Sequence, residues 1–172
     1  IKSIFPAVKI ILGNIHASIY SDFYLNSGCA DFICHSEGEY VLYELCVNYF
    51  SGDYSQIKGL SWLKDGKIIN NSSRDYIDNL DDLPFVDYSF IDLKKVKTAF
   101  YIDKVNNPFI IFSSRGCPNH CKYCAVHGKQ YRFRSPNNVV DEYEKLANEH
   151  NAGYIQFGDA LPFVLMALLL GW

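Results

Sequence analysis

Three cysteines fall within eight residues of the stretch at 113–130, SSRGCPNHCKYCAVHGKQ: Cys117, Cys121 and Cys124, spaced C-x3-C-x2-C. Thiolates at this density bind zinc or an iron–sulfur cluster. A structural zinc site is closed by four ligands, and no fourth cysteine stands nearby. Two histidines do. His120 adjoins Cys121, which is awkward for a shared metal, whereas His127 leaves a Cys3His zinc site open as one reading. On the other reading, three thiolates hold a cubic 4Fe–4S cluster and leave one iron without a protein ligand, an open position for a small molecule. The three sulfurs are then expected to face one shared pocket, with no disulfide at rest.

The elements that must position this loop can be read around it. PFIIFSS is a buried strand that runs straight into the cysteines. RGCPNHCKYCAVHGKQYRFR is expected to be a long loop. SPNNVVDEYEKLANEHNAG is a helix: Ser135 stands at its N-cap, Pro136 at its first position, acidic residues follow early, and Asn151 and Gly153 end it. Val139, Tyr143, Leu146 and Ala147 make its expected buried face. YIQFG is the next strand, so the segment reads as a βαβ unit.

Upstream, strand and helix also alternate. VKIILGN and ADFICHS are short strands, SDFYLNSG a short helix closed by Gly28, and EGEYVLYELCVNYFSG a helix whose apolar face is Leu42, Leu45, Cys46 and Tyr49. This order implies a parallel α/β layer. GLSWLKDGKIIN is a hairpin about Asp65-Gly66. Residues 72–106 carry acids, a proline and little periodicity, and read as a connector.

The remaining composition narrows the function classes. The chain has 172 residues, 49% apolar and 20% charged, which predicts a packed core; its net charge of −3 argues against a nucleic-acid surface. It starts at Ile1 rather than Met, shows no secretory cleavage site, and is expected to be a fragment at both ends. Its longest apolar run, LPFVLMALLLGW, is too short to span a bilayer. Cys29, Cys34 and Cys46 do not suggest a disulfide framework and are read as small buried hydrophobes. Arg132 and Arg134 in YRFRSP are read as a solvated connector rather than an anion contact. His16, Ser18 and Asp22 have no spacing that suggests catalysis.

CPNHCKYC after a buried strand resembles the cluster loop of radical S-adenosylmethionine enzymes, C-x3-C-x-aromatic-C, with Tyr123 at the aromatic position. The resemblance implies that Cys117, Cys121 and Cys124 ligate a 4Fe–4S cluster whose open iron chelates S-adenosylmethionine, and that the cleaved cofactor yields a 5′-deoxyadenosyl radical. It implies a (β/α) barrel with chemistry at the C-terminal strand ends, where Gly158 and Asp159 lie near S-adenosylmethionine. The stretch from KIILGNIHAS to LDDLPFVDYSFID is similar to the part before the barrel in cobalamin-binding members: Gly13-Asn14 stands where Gly-Gly is usual, and Glu37-Gly38-Glu39 where an acidic-Gly-acidic turn opens a helix. The resemblance places Gly13, Asn14, Glu37 and Gly38 at a cobalamin site.

The expected fold is therefore α/β: the C-terminal half of a Rossmann-like cobalamin-binding domain with its hairpin (1–71), a connector (72–106) and the first βαβ of a radical S-adenosylmethionine barrel (107–172). The resemblance implies an enzyme with a small-molecule substrate, an electron donor such as flavodoxin or ferredoxin, no nucleic-acid or membrane partner and a cytoplasmic location, with methyl transfer as the favoured reaction. A non-enzymatic zinc-binding module, or an inactive piece of the parent enzyme, is the alternative.

Overall fold

Short runs of β-branched and aromatic residues build three separate sheets among the described residues. The computed structural model describes residues 1–92, 107–124 and 129–160. The chain divides into two compact units, Ile1–Ile77 and Asp78–Trp172.

In the first unit, β1 (Ile11–Leu12), β2 (Phe32–Cys34), β3 (Leu60–Lys64) and β4 (Lys67–Asn70) form one sheet in that order. β1 and β2 are parallel, Ile11 opposite Phe32 and Leu12 opposite Ile33. The hairpin then joins antiparallel to β2, with Cys34 opposite Leu60 and Ile33 opposite Ser61, so the expected parallel layer is a mixed sheet. Its turn is set by Asp65 (φ 50°) and Gly66 (φ 74°), two left-handed residues whose twist suits a two-residue hairpin.

Alternation along β2 divides the core. Phe32 and Cys34 pack with Val41, Leu45, Ile57, Leu60 and Trp62, under helix α3 (Glu39–Asn48). Ile33 faces the other way, onto Ala17, Leu25 and Ala30 of the segment carrying α1 (Asn14–Ile19) and α2 (Ser21–Asn26). A strand covered on both faces is apolar throughout, as β2 is. Each such fully buried aliphatic side chain contributes about 1.5–3 kcal/mol. The face of α3 differs from the expected one by a small rotation: Val41 and Leu45 are buried, Tyr49 packs at the margin, and Leu42 and Cys46 are exposed. Asp31 ties the start of the unit together, accepting from Ile10 N–H at 2.8 Å and from the Lys2 ammonium at 2.5 Å.

In the second unit, β5 (Pro108–Ile111) and β8 (Tyr154–Phe157) are parallel, from Pro108 opposite Tyr154 to Ile111 opposite Phe157. Helix α4 (Pro136–His150) is the crossover between them, and Phe109, Ile111, Val139 and Leu146 form the core it buries. Its punctuation is local. Ser135 Oγ accepts from Asn138 N–H at 3.2 Å, Pro136 opens the first turn, and Asn151 (φ 49°) closes the last in a left-handed conformation. The face again departs from expectation. Tyr143 and Ala147 are exposed, and Glu142 is turned inward, in the second turn.

Glu142 is buried because Arg134 is there to meet it. Arg134 pairs with the Glu142 carboxylate and also donates to Asn138 Oδ1 (2.6 Å), Asn138 O (3.1 Å) and Phe112 O (2.9 Å). Arg132 is buried as well. The reading of YRFRSP as a solvated connector is therefore corrected: satisfying the guanidinium on four sides makes its burial tolerable. The segment at 78–92, read as connector, is packed into this unit. Asp81 accepts from the backbone N–H of Ser135 at 2.9 Å, and the Phe85 ring lies 5.4 Å beneath the Arg134 guanidinium. The rest of the expected connector, 93–106, and the apolar tail, 161–172, lie outside the described residues.

Breaking the buried pair from one side leaves a charge with too few partners. Glu142→Ala is expected to lower the stability of the chain by about 3 kcal/mol, the lower end for a buried pair because Arg134 keeps its amide partners. A urea midpoint unchanged from the parent would refute this.

Candidate metal and cofactor sites

The flanks of the cysteine stretch are paired strands, while residues 118–124, with Cys121 and Cys124, form the irregular loop its composition suggests. β6 (Ser114–Cys117) and β7 (Lys129–Phe133) pair antiparallel as a two-stranded ribbon, with Ser114 opposite Phe133 and Cys117 opposite Lys129. A register shift between Arg115 and Cys117 coincides with Gly116 at φ 83°. Such a bulge re-aims the residue that follows it, here Cys117. The ribbon departs from the C-terminal end of β5.

Cys117 is buried at the end of β6, while Cys121 and Cys124 are half-buried and joined in a turn by Cys124 N–H to Cys121 O, 3.0 Å. None of the three is in a disulfide. Tyr123 is 92% exposed. Among the described residues, no three His, Cys, Asp or Glu side chains are grouped closely enough to hold a metal ion, so the converging arrangement expected of the sulfurs is not formed. His127 lies outside the described residues. The donor chemistry nevertheless fits an iron–sulfur cluster: three soft ligands on one ribbon and its connecting loop, none consumed by a disulfide.

Gly158 and Asp159 follow β8 and meet the same ribbon. Gly158 N–H extends the ladder to Ile111 O at 2.9 Å. A Cβ there would lie 2.6 Å from the Phe112 ring and 2.8 Å from Ile110 Cγ2, so the position is glycine for want of space. Asp159 Oδ1 accepts from both the backbone N–H (2.5 Å) and the hydroxyl (2.6 Å) of Ser114. Its other oxygen, Oδ2, is buried with no partner among the described residues, and so is Ser113 Oγ. Unsatisfied buried polar atoms are rare enough to call for an explanation, and a polar ligand at this strand end would supply one. No motif in the sequence marks Ser113 and Ser114. Their only signal was position, two hydroxyls where a barrel strand meets its loop. A separate cavity of 310 Å³ lies in this unit, lined by Leu83, Phe85, Tyr88, Ile110, Arg115 and Arg134 among others; none of the cysteines lines it.

In the first unit the parallel strands β1 and β2 end side by side, and this brings the cobalamin-site candidates together. A Cβ on Gly13 would stand 4.0 Å from Cys34 Cβ, and one on Gly38 would stand 3.6 Å from Cys34 Sγ. Neither glycine is required by its backbone, since Gly13 is extended and Gly38 right-handed. What they leave is surface without side chains beside a strand end. The left-handed residue is Asn14 (φ 72°), a conformation asparagine tolerates better than most, which explains how it replaces a glycine. Glu37 accepts from Ile77 N–H at 2.8 Å and so has a structural task. Beside it stands a network the sequence did not suggest. Ser61, fully buried, gives its hydroxyl proton to Asn70 Oδ1 (2.5 Å), so His35 Nε2, 2.7 Å from the same hydroxyl, is the donor to it. Burial pushes the His35 imidazole below its usual range.

No protein-family model matches the chain. It is 31% identical over 166 residues to an anaerobic magnesium-protoporphyrin IX monomethyl ester cyclase of Cereibacter sphaeroides, an alignment covering 92% of this chain and 26% of that protein. It is 30% identical over 164 residues to an uncharacterized methyltransferase of Pyrococcus horikoshii, covering 92% and 34%. The solved structure of OxsB, a cobalamin-dependent S-adenosylmethionine radical enzyme with aqua-cobalamin and S-adenosylmethionine bound, superposes with a TM-score of 0.64 at 20% identity over 88% of this chain and 21% of that one. The radical S-adenosylmethionine methyltransferase TsrM of Kitasatospora setae, with cobalamin and a 4Fe–4S cluster bound, gives 0.61 at 18% over 90% and 31%. The chain has the fold of these enzymes. The resemblance to cobalamin-binding radical S-adenosylmethionine proteins thus holds at the level of the fold, beside a similarity in sequence to a cyclase and a methyltransferase. The chain spans about a quarter to a third of the length of the relatives it matches.

One expectation about the other cysteines is corrected: Cys34 is buried, but Cys29 and Cys46 are exposed. Burial, with the nearby Glu39 charge, pushes the Cys34 thiol above its usual value. Iodoacetamide on the native chain is therefore expected to label Cys29 and Cys46 first and Cys34 only on unfolding, read cysteine by cysteine by mass spectrometry. Equal rates at Cys34 and Cys29 would contradict the placement.

Proposed function

We propose that the chain is part of a radical S-adenosylmethionine enzyme in which Cys117, Cys121 and Cys124 hold a 4Fe–4S cluster and S-adenosylmethionine completes its coordination. The observation that carries this is three cysteines outside any disulfide, on a ribbon and its connecting loop that follow the first strand of a βαβ unit, in a chain similar in sequence to a methyltransferase and a cyclase. When bound, the cluster supplies one electron for reductive cleavage of S-adenosylmethionine to methionine and a 5′-deoxyadenosyl radical; that electron comes from a donor such as flavodoxin or ferredoxin.

The chain's own residues have distinct tasks in this reading. The bulge at Gly116 aims Cys117. Tyr123 occupies the aromatic position beside Cys124. Gly158 keeps the strand end low, and Asp159 Oδ2 and Ser113 Oγ offer polar atoms to the bound S-adenosylmethionine. In the first unit, Gly13, Asn14, Glu37 and Gly38 border the place for cobalamin. Methyl transfer to a small molecule, in the cytoplasm and without nucleic-acid or membrane partners, is the reaction proposed. Among the described residues no helix is long and apolar enough to cross a membrane.

Anaerobic reconstitution with iron and sulfide tests the cluster. About four irons per chain with broad visible absorption are expected, and Cys117→Ala should abolish both. Uptake of a single zinc without colour would instead establish the zinc-binding alternative.

The cobalamin side has its own readout. Gly13→Ala meets no close neighbour and no backbone strain, so its unfolding midpoint should stay within about 0.5 kcal/mol of the parent. Its affinity for hydroxocobalamin should nonetheless fall, because the new methyl occupies the ligand's approach. Unchanged affinity, measured by absorbance titration, would remove Gly13 from the site.

A further inference from the structure

We infer that Asp159 is a positioning residue for the cysteine ribbon, acting on Cys117 through Ser114; this rests on the proposed cluster reading but is separable from it. The ribbon β6–β7 and the pair β5–β8 are distinct sheets. The ribbon's origin is fixed to β8 by one carboxylate oxygen, which takes both donors of Ser114, the backbone N–H and the hydroxyl. Holding both sets the backbone direction and the side-chain rotamer of the first ribbon residue together. Cys117 is the last residue of that same four-residue strand. The distance is short: three residues of strand span about 10 Å, and the Gly116 bulge converts the strand's heading into the heading of the Cys117 thiol. The neighbouring residue is held as well, since Ser113 O accepts from Arg134 N–H at 2.9 Å, where the return strand leaves the ribbon.

Asp159 therefore has two oxygens with two tasks. Oδ1 holds the ribbon, and Oδ2, buried and without a partner among the described residues, remains for the ligand. Ser114 touches only the first, so substitution there separates positioning from ligand contact.

The test uses the metal-free chain and its reconstituted form. In the metal-free chain, Ser114→Ala and Asp159→Ala are each expected to raise the alkylation rate of buried Cys117 about tenfold, the scale of losing a charge-assisted hydrogen bond. Ser114→Thr, which keeps the hydroxyl, should restore protection. Val139→Ala loosens α4 instead and should leave Cys117 as protected as in the parent. After reconstitution, the two alanine variants should release iron to a ferrous chelator about tenfold faster. Parental protection of Cys117 in Ser114→Ala overturns the proposal whether or not the chain takes up iron. Equal exposure in Val139→Ala overturns it too, by showing a general loss of stability. Failure of the cluster reading appears separately, as absence of iron uptake by the unsubstituted chain.

Discussion

The parallel pairing of β5 with β8 is the constraint on which the rest of the second unit depends. Two parallel strands need a crossover to return the chain, and the crossover leaves both C-terminal ends on the same side. The residues that leave β5, Ser113 and Ser114, therefore meet those that leave β8, Gly158 and Asp159. The cysteine ribbon grows from this junction. Its root is clasped by a carboxylate arriving 45 residues later, and its return strand hands the chain directly to the helix that makes the crossover.

That handover is polar, and its position in the interior has a cost offset by completeness. Arg134 meets a carboxylate, an amide side chain, two backbone carbonyls and an aromatic face. A guanidinium so fully partnered can be buried, because desolvation is compensated by several charge-assisted bonds. The outcome is a rigid corner where β7 turns into α4, with Asp81 of the preceding segment holding the N-cap residue from outside. The ribbon is thus anchored at both ends, while the cysteines occupy the stretch between.

The first unit repeats the geometry with different chemistry. β1 and β2 are parallel and end together, and the residues at that end are small: Gly13, Cys34 and Gly38. Where the second unit offers thiols and carboxylate oxygens, this one offers small residues beside helix starts. The sheet does not continue in parallel because the hairpin folds back on β2, and Ser61, brought opposite Ile33, is buried on a face that must then satisfy it through Asn70 and His35.

The sequence alone determined what depends on neighbours along the chain. The Asp65-Gly66 turn, the Ser135-Pro136 start and Asn151 end of α4, and the cysteine spacing were all legible, because each expresses the backbone or ligand preference of residues a few positions apart. Tertiary structure decided what depends on partners far away. The flanks of the cysteine stretch became a ribbon because β6 found β7 across the loop. Glu142 turned inward because Arg134 waited there, and the face of α3 settled on Val41 and Leu45 because the sheet beneath admitted them. Asp159 could be seen in the sequence as an acid after a strand. Only the parallel register of β5 and β8 placed its oxygen on Ser114, since a hydrogen bond needs a distance, and the chain order of two residues fixes none.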